Sequence, residues 1–129
     1  MNLQLSNLLW VGLGGFVGSV CRFLLGGAVH QVLHNSTFPY GTMVVNLVGC
    51  FAIGVGGCLV ELRQLFSPEA RMFLLVGLLG GFTTFSTVGY ESLNLARDGE
   101  LLASLANIAI QVVAGVVLVW LGYGLTKSL

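Results

Sequence analysis

Neutral polar side chains recur along one face of two apolar segments, and their types suit binding of an anion. In the second apolar segment Thr42 and Asn46 are four residues apart, and in the fourth Asn107 and Gln111 repeat this spacing. Amide NH₂ and hydroxyl groups donate hydrogen bonds without adding negative charge, so they can replace part of an anion's hydration shell. The stripes therefore indicate an anion path. The alternative is that they form interhelical hydrogen bonds that hold a bundle together.

The third apolar segment contains the densest polar cluster, the run GGFTTFST at 80–87. Two adjacent glycines followed closely by two β-branched threonines make a poor helix. We therefore predict that this helix breaks near the middle of the membrane, where freed carbonyl groups need protein partners or a bound cation. In the alternative, the hydroxyl groups bond back to carbonyls four residues earlier and only bend a continuous helix.

The composition places these segments in a membrane. Of the 129 residues, 56% are hydrophobic and 8% are charged, whereas soluble domains carry about a quarter charged residues. The charged residues leave four uncharged stretches, at 1–21, 23–60, 72–90 and 101–126. Each is long enough to cross a bilayer, which needs about 20 apolar residues. We predict an all-α integral membrane protein whose residues 1–129 form a single domain, with spans at about 4–28, 40–62, 70–95 and 100–126.

The charges and cysteines exclude several classes of protein. Five basic and five acidic residues give a net charge of zero, so the chain has no basic patch for a nucleic-acid partner. The three cysteines, Cys21, Cys50 and Cys58, lie in apolar spans without CxxC spacing. This pattern favours neither a disulfide framework nor a zinc site.

The loops carry almost no signal for orientation in the membrane. Four spans place Arg63, Arg71 and Lys127 on one side, and Arg97 with Arg22 on the other. The bias of Lys and Arg between the two sides sets the orientation of a membrane protein. A distribution as even as this one is compatible with insertion in both directions and with pairing as an antiparallel dimer. The alternative is that a single charge is sufficient to set one orientation.

Two pairs of glycines have the small-xxx-small spacing that permits close helix contact in lipid. Gly14 and Gly18 lie in the first span, and Gly77 and Gly81 lie in the third. Such pairs are common in membrane helices, so they are a signal of low specificity.

The segments GTMVVNLVG at 41–49 and GGFTTFST at 80–87 resemble the two signature segments of the Fluc (CrcB) family of fluoride channels. The resemblance covers the whole chain. It implies an antiparallel dual-topology homodimer in the cell membrane, surrounded by lipid, with two narrow fluoride pathways that are each built from both subunits. It also implies a passive channel that exports cytoplasmic fluoride and lowers its toxicity.

The resemblance further implies individual site residues. A structural sodium ion at the dimer interface would be held by the backbone carbonyl groups of Gly80 and Thr83 from both copies. The fluoride pathway would include Asn46, Phe85, Ser86 and Thr87. Three further positions match the family at the vestibules or in packing, namely Arg22, Thr42 and Glu91.

Two features depart from the family pattern. Val88 stands where a second phenylalanine is expected, and the amides Asn107 and Gln111 replace the usual hydroxyl groups of the fourth span. A phenylalanine edge is weakly positive and can face an anion, whereas valine cannot. Because Phe85 and Val88 are three residues apart, we expect both to face the same pathway.

Two other functions remain as alternatives to a fluoride channel. Small multidrug transporters are also short, four-spanning and antiparallel, but they need a glutamate in the first span, which has none here. A membrane-embedded enzyme or an assembly factor is the second alternative. Cys50 and Cys58 have no adjacent base, so no nucleophile is evident and we do not expect an enzyme.

Overall fold

The computed structural model describes residues 4–129 as an all-helical protein with four long apolar helices. The first two are α1 (Leu5–Val32) and α2 (Tyr40–Arg63), and the last is α5 (Leu101–Ser128). The third span, Pro68–Arg97, is divided into α3 (68–82) and α4 (Phe85–Arg97). Each of the four spans is long and apolar enough to cross a membrane. The prediction of four membrane-spanning helices is therefore confirmed.

The third span begins with a capped turn and then widens. The Ser67 side chain accepts a hydrogen bond from the Ala70 amide at 3.2 Å, and Pro68 occupies the first helical turn, where its missing N–H costs nothing. The stretch Met72–Leu79 is wound as a π-helix, and Gly80–Phe82 completes α3 as an α-helical turn. Such wide turns are rare and often occur close to functional sites.

The helix breaks at Thr83 and Thr84, as the sequence predicted. Both residues have extended backbone, with φ and ψ of −89° and 155° at Thr83 and of −151° and 120° at Thr84. The Thr83 hydroxyl also donates to the Leu79 carbonyl oxygen at 2.9 Å. The back-bonding expected for a bent helix is thus present, but it accompanies a true break.

Glycines allow the backbones of α1 and α3 to touch. A Cβ atom placed on Gly81 would lie 2.6 Å from the Gly15 carbonyl oxygen, and one on Gly77 would lie 2.7 Å from the Val11 carbonyl oxygen. A Cβ on Gly14 or Gly18 would likewise overlap backbone atoms of α3. The glycines of both pairs therefore form a close contact between the first and third spans. It positions α3, and hence the break that follows it.

Large apolar side chains cover the outside of the bundle. Those of Phe16, Phe23, Phe85 and Trp120 are all more than two-thirds exposed in the single chain. Soluble monomers rarely leave so much apolar surface uncovered. Lipid or another protein surface must therefore cover these side chains.

Candidate functional site

The Asn46 side chain joins α2 to the break in the third span. Its Nδ2 donates to the Thr84 carbonyl oxygen at 3.0 Å, and its Oδ1 accepts from the Thr84 backbone N–H at 2.8 Å. One amide thus satisfies both backbone groups of the same residue. An unpaired buried polar group costs about 1–3 kcal/mol, and lipid offers no water as a substitute partner. Asn46 therefore stabilises the extended segment.

A chain of side-chain amides continues from Asn46 into α5. Asn46 Nδ2 donates to Gln111 Oε1 at 2.7 Å, and Gln111 Nε2 donates to Asn107 Oδ1 at 2.9 Å. Asn107 Nδ2 in turn donates to Ser92 Oγ of α4 at 3.0 Å, and Ser104 Oγ donates to the Ser92 carbonyl oxygen at 2.7 Å. The polar stripes of α2 and α5 therefore meet each other, and they also connect to the break at Thr84 and to α4 after it.

The first cavity, of about 450 Å³, lies beside this amide chain. Its lining includes residues named from the sequence: Asn46, Gly80, Thr83, Phe85, Val88 and Gln111. Phe85 is 77% exposed, whereas Val88 is only 3% exposed. The two side chains thus border the same cavity, but Val88 is packed inside the chain and Phe85 projects outward.

Two further cavities continue the polar lining along α1 and α2. The second, of about 460 Å³, is bordered by Arg22, Thr42, Thr84 and Thr87. The third, of about 310 Å³, is bordered by Thr42 and Glu91. Thr84 borders the first and second cavities, and Thr42 borders the second and third. Polar groups therefore follow one another from Glu91 to Asn46.

The hydroxyl groups next to the break form a small cluster. The Thr84 hydroxyl lies 3.0 Å from that of Thr87 and 3.3 Å from that of Ser86, and it accepts from the Thr87 backbone N–H at 3.4 Å. Ser86 is exposed. The cluster therefore offers hydroxyl groups at the N-terminus of α4, where backbone N–H groups also favour negative charge.

Glu91 pairs with Thr42 across α4 and α2. The Thr42 hydroxyl donates to Glu91 Oε1 at 2.6 Å, while Glu91 Oε2 is buried and has no hydrogen-bond partner among residues 4–129. Sequence reasoning identified both residues but not their contact. The row of polar groups that begins at Asn46 therefore ends with this pair, at the third cavity.

Not every predicted site residue borders a cavity. Asn107 is fully buried and forms hydrogen bonds with Gln111 and Ser92. It therefore stabilises the chain of amides without bordering the first cavity. Sequence reasoning missed Thr84 and Ser92. Thr84 lies within the GGFTTFST run, which was a usable signal, whereas Ser92 lies outside that run and carries no pattern of its own.

Gly80 and Thr83, the residues proposed to bind sodium, would bind it through their backbone carbonyl oxygens. Gly80 is exposed and Thr83 has extended backbone, so both are placed at the break beside the first cavity. Hard cations take oxygen ligands such as backbone carbonyl groups. Within residues 4–129 no group of three or more histidine, cysteine or acidic side chains could hold a metal. Main-chain oxygens therefore fit sodium better than a transition metal.

Comparison with known proteins identifies the family. The family model described as "CrcB-like protein, Camphor Resistance (CrcB)" matches residues 9–123. A protein of Nitratidesulfovibrio vulgaris strain DP4 is 46% identical over 117 residues, covering 91% of this chain and 94% of its own length. One from Shewanella halifaxensis is 43% identical over 124 residues, covering 96% and 98%. Both are named fluoride-specific ion channel FluC. The chain is therefore a multi-pass membrane protein that belongs to the CrcB family.

Proposed function

We propose that this protein forms a passive, fluoride-selective channel through which cytoplasmic fluoride leaves the cell. The observation that carries the proposal is the neutral donor set at the break, where the Asn46 amide, the Thr84 hydroxyl and the Gln111 amide border one cavity. The relatives named fluoride-specific ion channel FluC support the choice of fluoride. No catalytic step is needed for this activity, and the protein is not an enzyme.

The site favours an anion through donors that carry no full charge. Amide and hydroxyl groups replace water around fluoride, and the ring edge of Phe85 adds a weakly positive surface. Arg22, at the second cavity, attracts anions toward the row of polar groups. Fluoride enters cells as neutral hydrofluoric acid and is trapped by ionisation, so the membrane potential alone can drive its exit.

Efflux from liposomes tests the proposed function directly. We expect liposomes that contain the protein to release fluoride rapidly and to retain chloride. Liposomes without protein provide the control. Retention of fluoride would contradict the proposal, and transport of a cationic dye would instead identify a small multidrug transporter.

We also propose that the functional unit is an antiparallel homodimer. Phe85 borders the first cavity but is largely exposed in the single chain, so a second copy would complete the wall of the pathway. The nearly even distribution of Lys and Arg between the two sides permits both orientations.

Reporters fused to the C-terminus test the two orientations. We expect signal both from a reporter that is active only outside the cell and from one that is active only inside, because the loop charges select neither direction. Adding two lysines after residue 127 provides a control that should favour one orientation. Signal from a single reporter in the parent protein would contradict the antiparallel dimer.

A sodium ion at the dimer interface completes the proposal, with the Gly80 and Thr83 carbonyl oxygens of both copies as ligands. A Cβ atom on Gly80 would meet no neighbouring helix within 4 Å in one chain, so we expect Gly80→Ala to leave the packing within a single chain unchanged. Thr83→Val keeps the carbonyl and loses one hydrogen bond, to Leu79.

We therefore expect sodium to raise the thermal stability of the parent dimer, and Gly80→Ala to reduce this effect more than Thr83→Val does. Melting curves recorded in sodium and in a large organic cation measure the difference. A parent dimer that is indifferent to sodium would remove the ion from the proposal.

A further inference from the structure

Four hydrogen bonds lead from the break into α5 and α4, and in each of them the donor lies on the side of the break. The Thr84 backbone N–H donates to Asn46, Asn46 donates to Gln111, Gln111 donates to Asn107, and Asn107 donates to Ser92. Each amide in this chain accepts through its oxygen from the residue before it. Each then donates through its NH₂ group to the residue after it.

The direction is set at the Thr84 end. A backbone N–H can only donate, so the oxygen of Asn46 must face Thr84 and its NH₂ group must face Gln111. The same reasoning then orients Gln111 and Asn107. At the far end the Ser92 hydroxyl can accept or donate, so it imposes no direction of its own.

Burial makes the orientation of these amides strict. Asn107 is fully buried and Gln111 is 9% exposed. Turning one amide over would place two oxygens, or two NH₂ groups, opposite each other without water to separate them. Such unpaired groups are costly in a low-dielectric interior. The three amides are therefore oriented together.

Gln111 and Asn107 play different parts in this arrangement. Gln111 borders the first cavity together with Asn46, whereas Asn107 lies behind Gln111 and is not among the residues that border it. Both N–H groups of Asn46 have partners, namely the Thr84 carbonyl and Gln111 Oε1. Gln111 thus controls where one donor of Asn46 points.

We propose that Gln111 is a positioning residue for the anion path, which fixes the orientation of the Asn46 amide beside the first cavity and is itself held by Asn107, which Ser92 holds in turn. The inference rests on the proposed function, because it assigns a role within the same pathway. An anion that passes this amide meets a group whose orientation Gln111 has fixed, and hydrogen bonds weaken steeply when their direction is wrong. Losing the hydrogen bond from Asn46 to Gln111 should therefore relax discrimination between fluoride and the larger chloride.

The test uses Gln111→Met and Asn107→Leu, two substitutions of similar volume that remove hydrogen bonding. We expect each to lower the ratio of fluoride to chloride efflux from liposomes by tenfold or more. Val113→Met is the matched control, since Val113 lies on the same helix, is exposed and borders none of the three cavities. It should leave the ratio unchanged.

A double variant tests whether Gln111 and Asn107 act through the same chain of hydrogen bonds or whether each substitution disturbs the protein independently. If both residues act through one chain, Gln111→Met combined with Asn107→Leu lowers the ratio no further than Gln111→Met alone, because coupled residues are not additive. Multiplied losses, or lower thermal stability with an unchanged ratio, would overturn the proposal. If Asn107→Leu does not fold, Asn107→Ser replaces it, since its hydroxyl is too short to join both neighbours.

Efflux from liposomes that contain the parent protein distinguishes failure of the proposed function from failure of the role assigned to Gln111. A parent that releases no fluoride contradicts the proposed function. A parent that releases fluoride selectively, with variants that keep its selectivity, contradicts only the role of Gln111.

Discussion

Replacing Asn46 by aspartate is expected to abolish fluoride efflux, with a loss of at least about a hundredfold, or about 2.7 kcal/mol. The carboxylate can still accept from the Thr84 N–H, but it loses the donors to the Thr84 carbonyl and to Gln111 Oε1. Each lost bond leaves an oxygen facing an oxygen. The new negative charge also repels the permeating anion.

The efflux of the folded Asn46→Asp protein in liposomes measures this effect. Asn35→Asp is the matched control, because it makes the same chemical change at an exposed position in the loop between α1 and α2. Acidic residues contribute little to membrane orientation, so the control should keep nearly the parental rate. Parental efflux in a folded Asn46→Asp protein would remove Asn46 from the pathway.

Replacing Gly14 by alanine is expected to lower the stability of the protein strongly. The added Cβ would overlap the Phe73 carbonyl oxygen and would lie 2.9 Å from the Leu78 nitrogen. These atoms belong to the backbone of α3, so only a shift of the whole helix can relieve the overlap. We expect a loss of about 2 kcal/mol, which lowers the melting temperature by roughly 8 °C.

Thermal unfolding of detergent-solubilised protein tests this expectation. Gly12→Ala is the control in the same helix, because a Cβ at Gly12 meets no atom within 4 Å. Since alanine favours helix over glycine by about 1 kcal/mol, this variant should be as stable as the parent or more stable. Equal destabilisation by both substitutions would show that the contact with α3 is not the cause.

The sequence by itself determined the features that depend on local chemistry. Hydropathy located the four spans because a bilayer selects length and apolar composition, whatever the neighbouring helices are. The run at 80–87 predicted the break because glycine and β-branched residues weaken a helix at their own positions. The glycine pairs indicated that close helix contact was possible, since only small residues allow such close approach, but they did not indicate which helices meet.

Only the tertiary structure decided which side chains meet. Helical spacing places Asn46 and Gln111 on polar stripes, but their hydrogen bond joins residues 65 positions apart and depends on how α2 and α5 are rotated toward each other. Spacing also placed Phe85 and Val88 together, yet the former projects outward and the latter packs inside. The extended residues at 83–84 restart the helix in a new direction, and no periodicity that runs through the break can predict that direction.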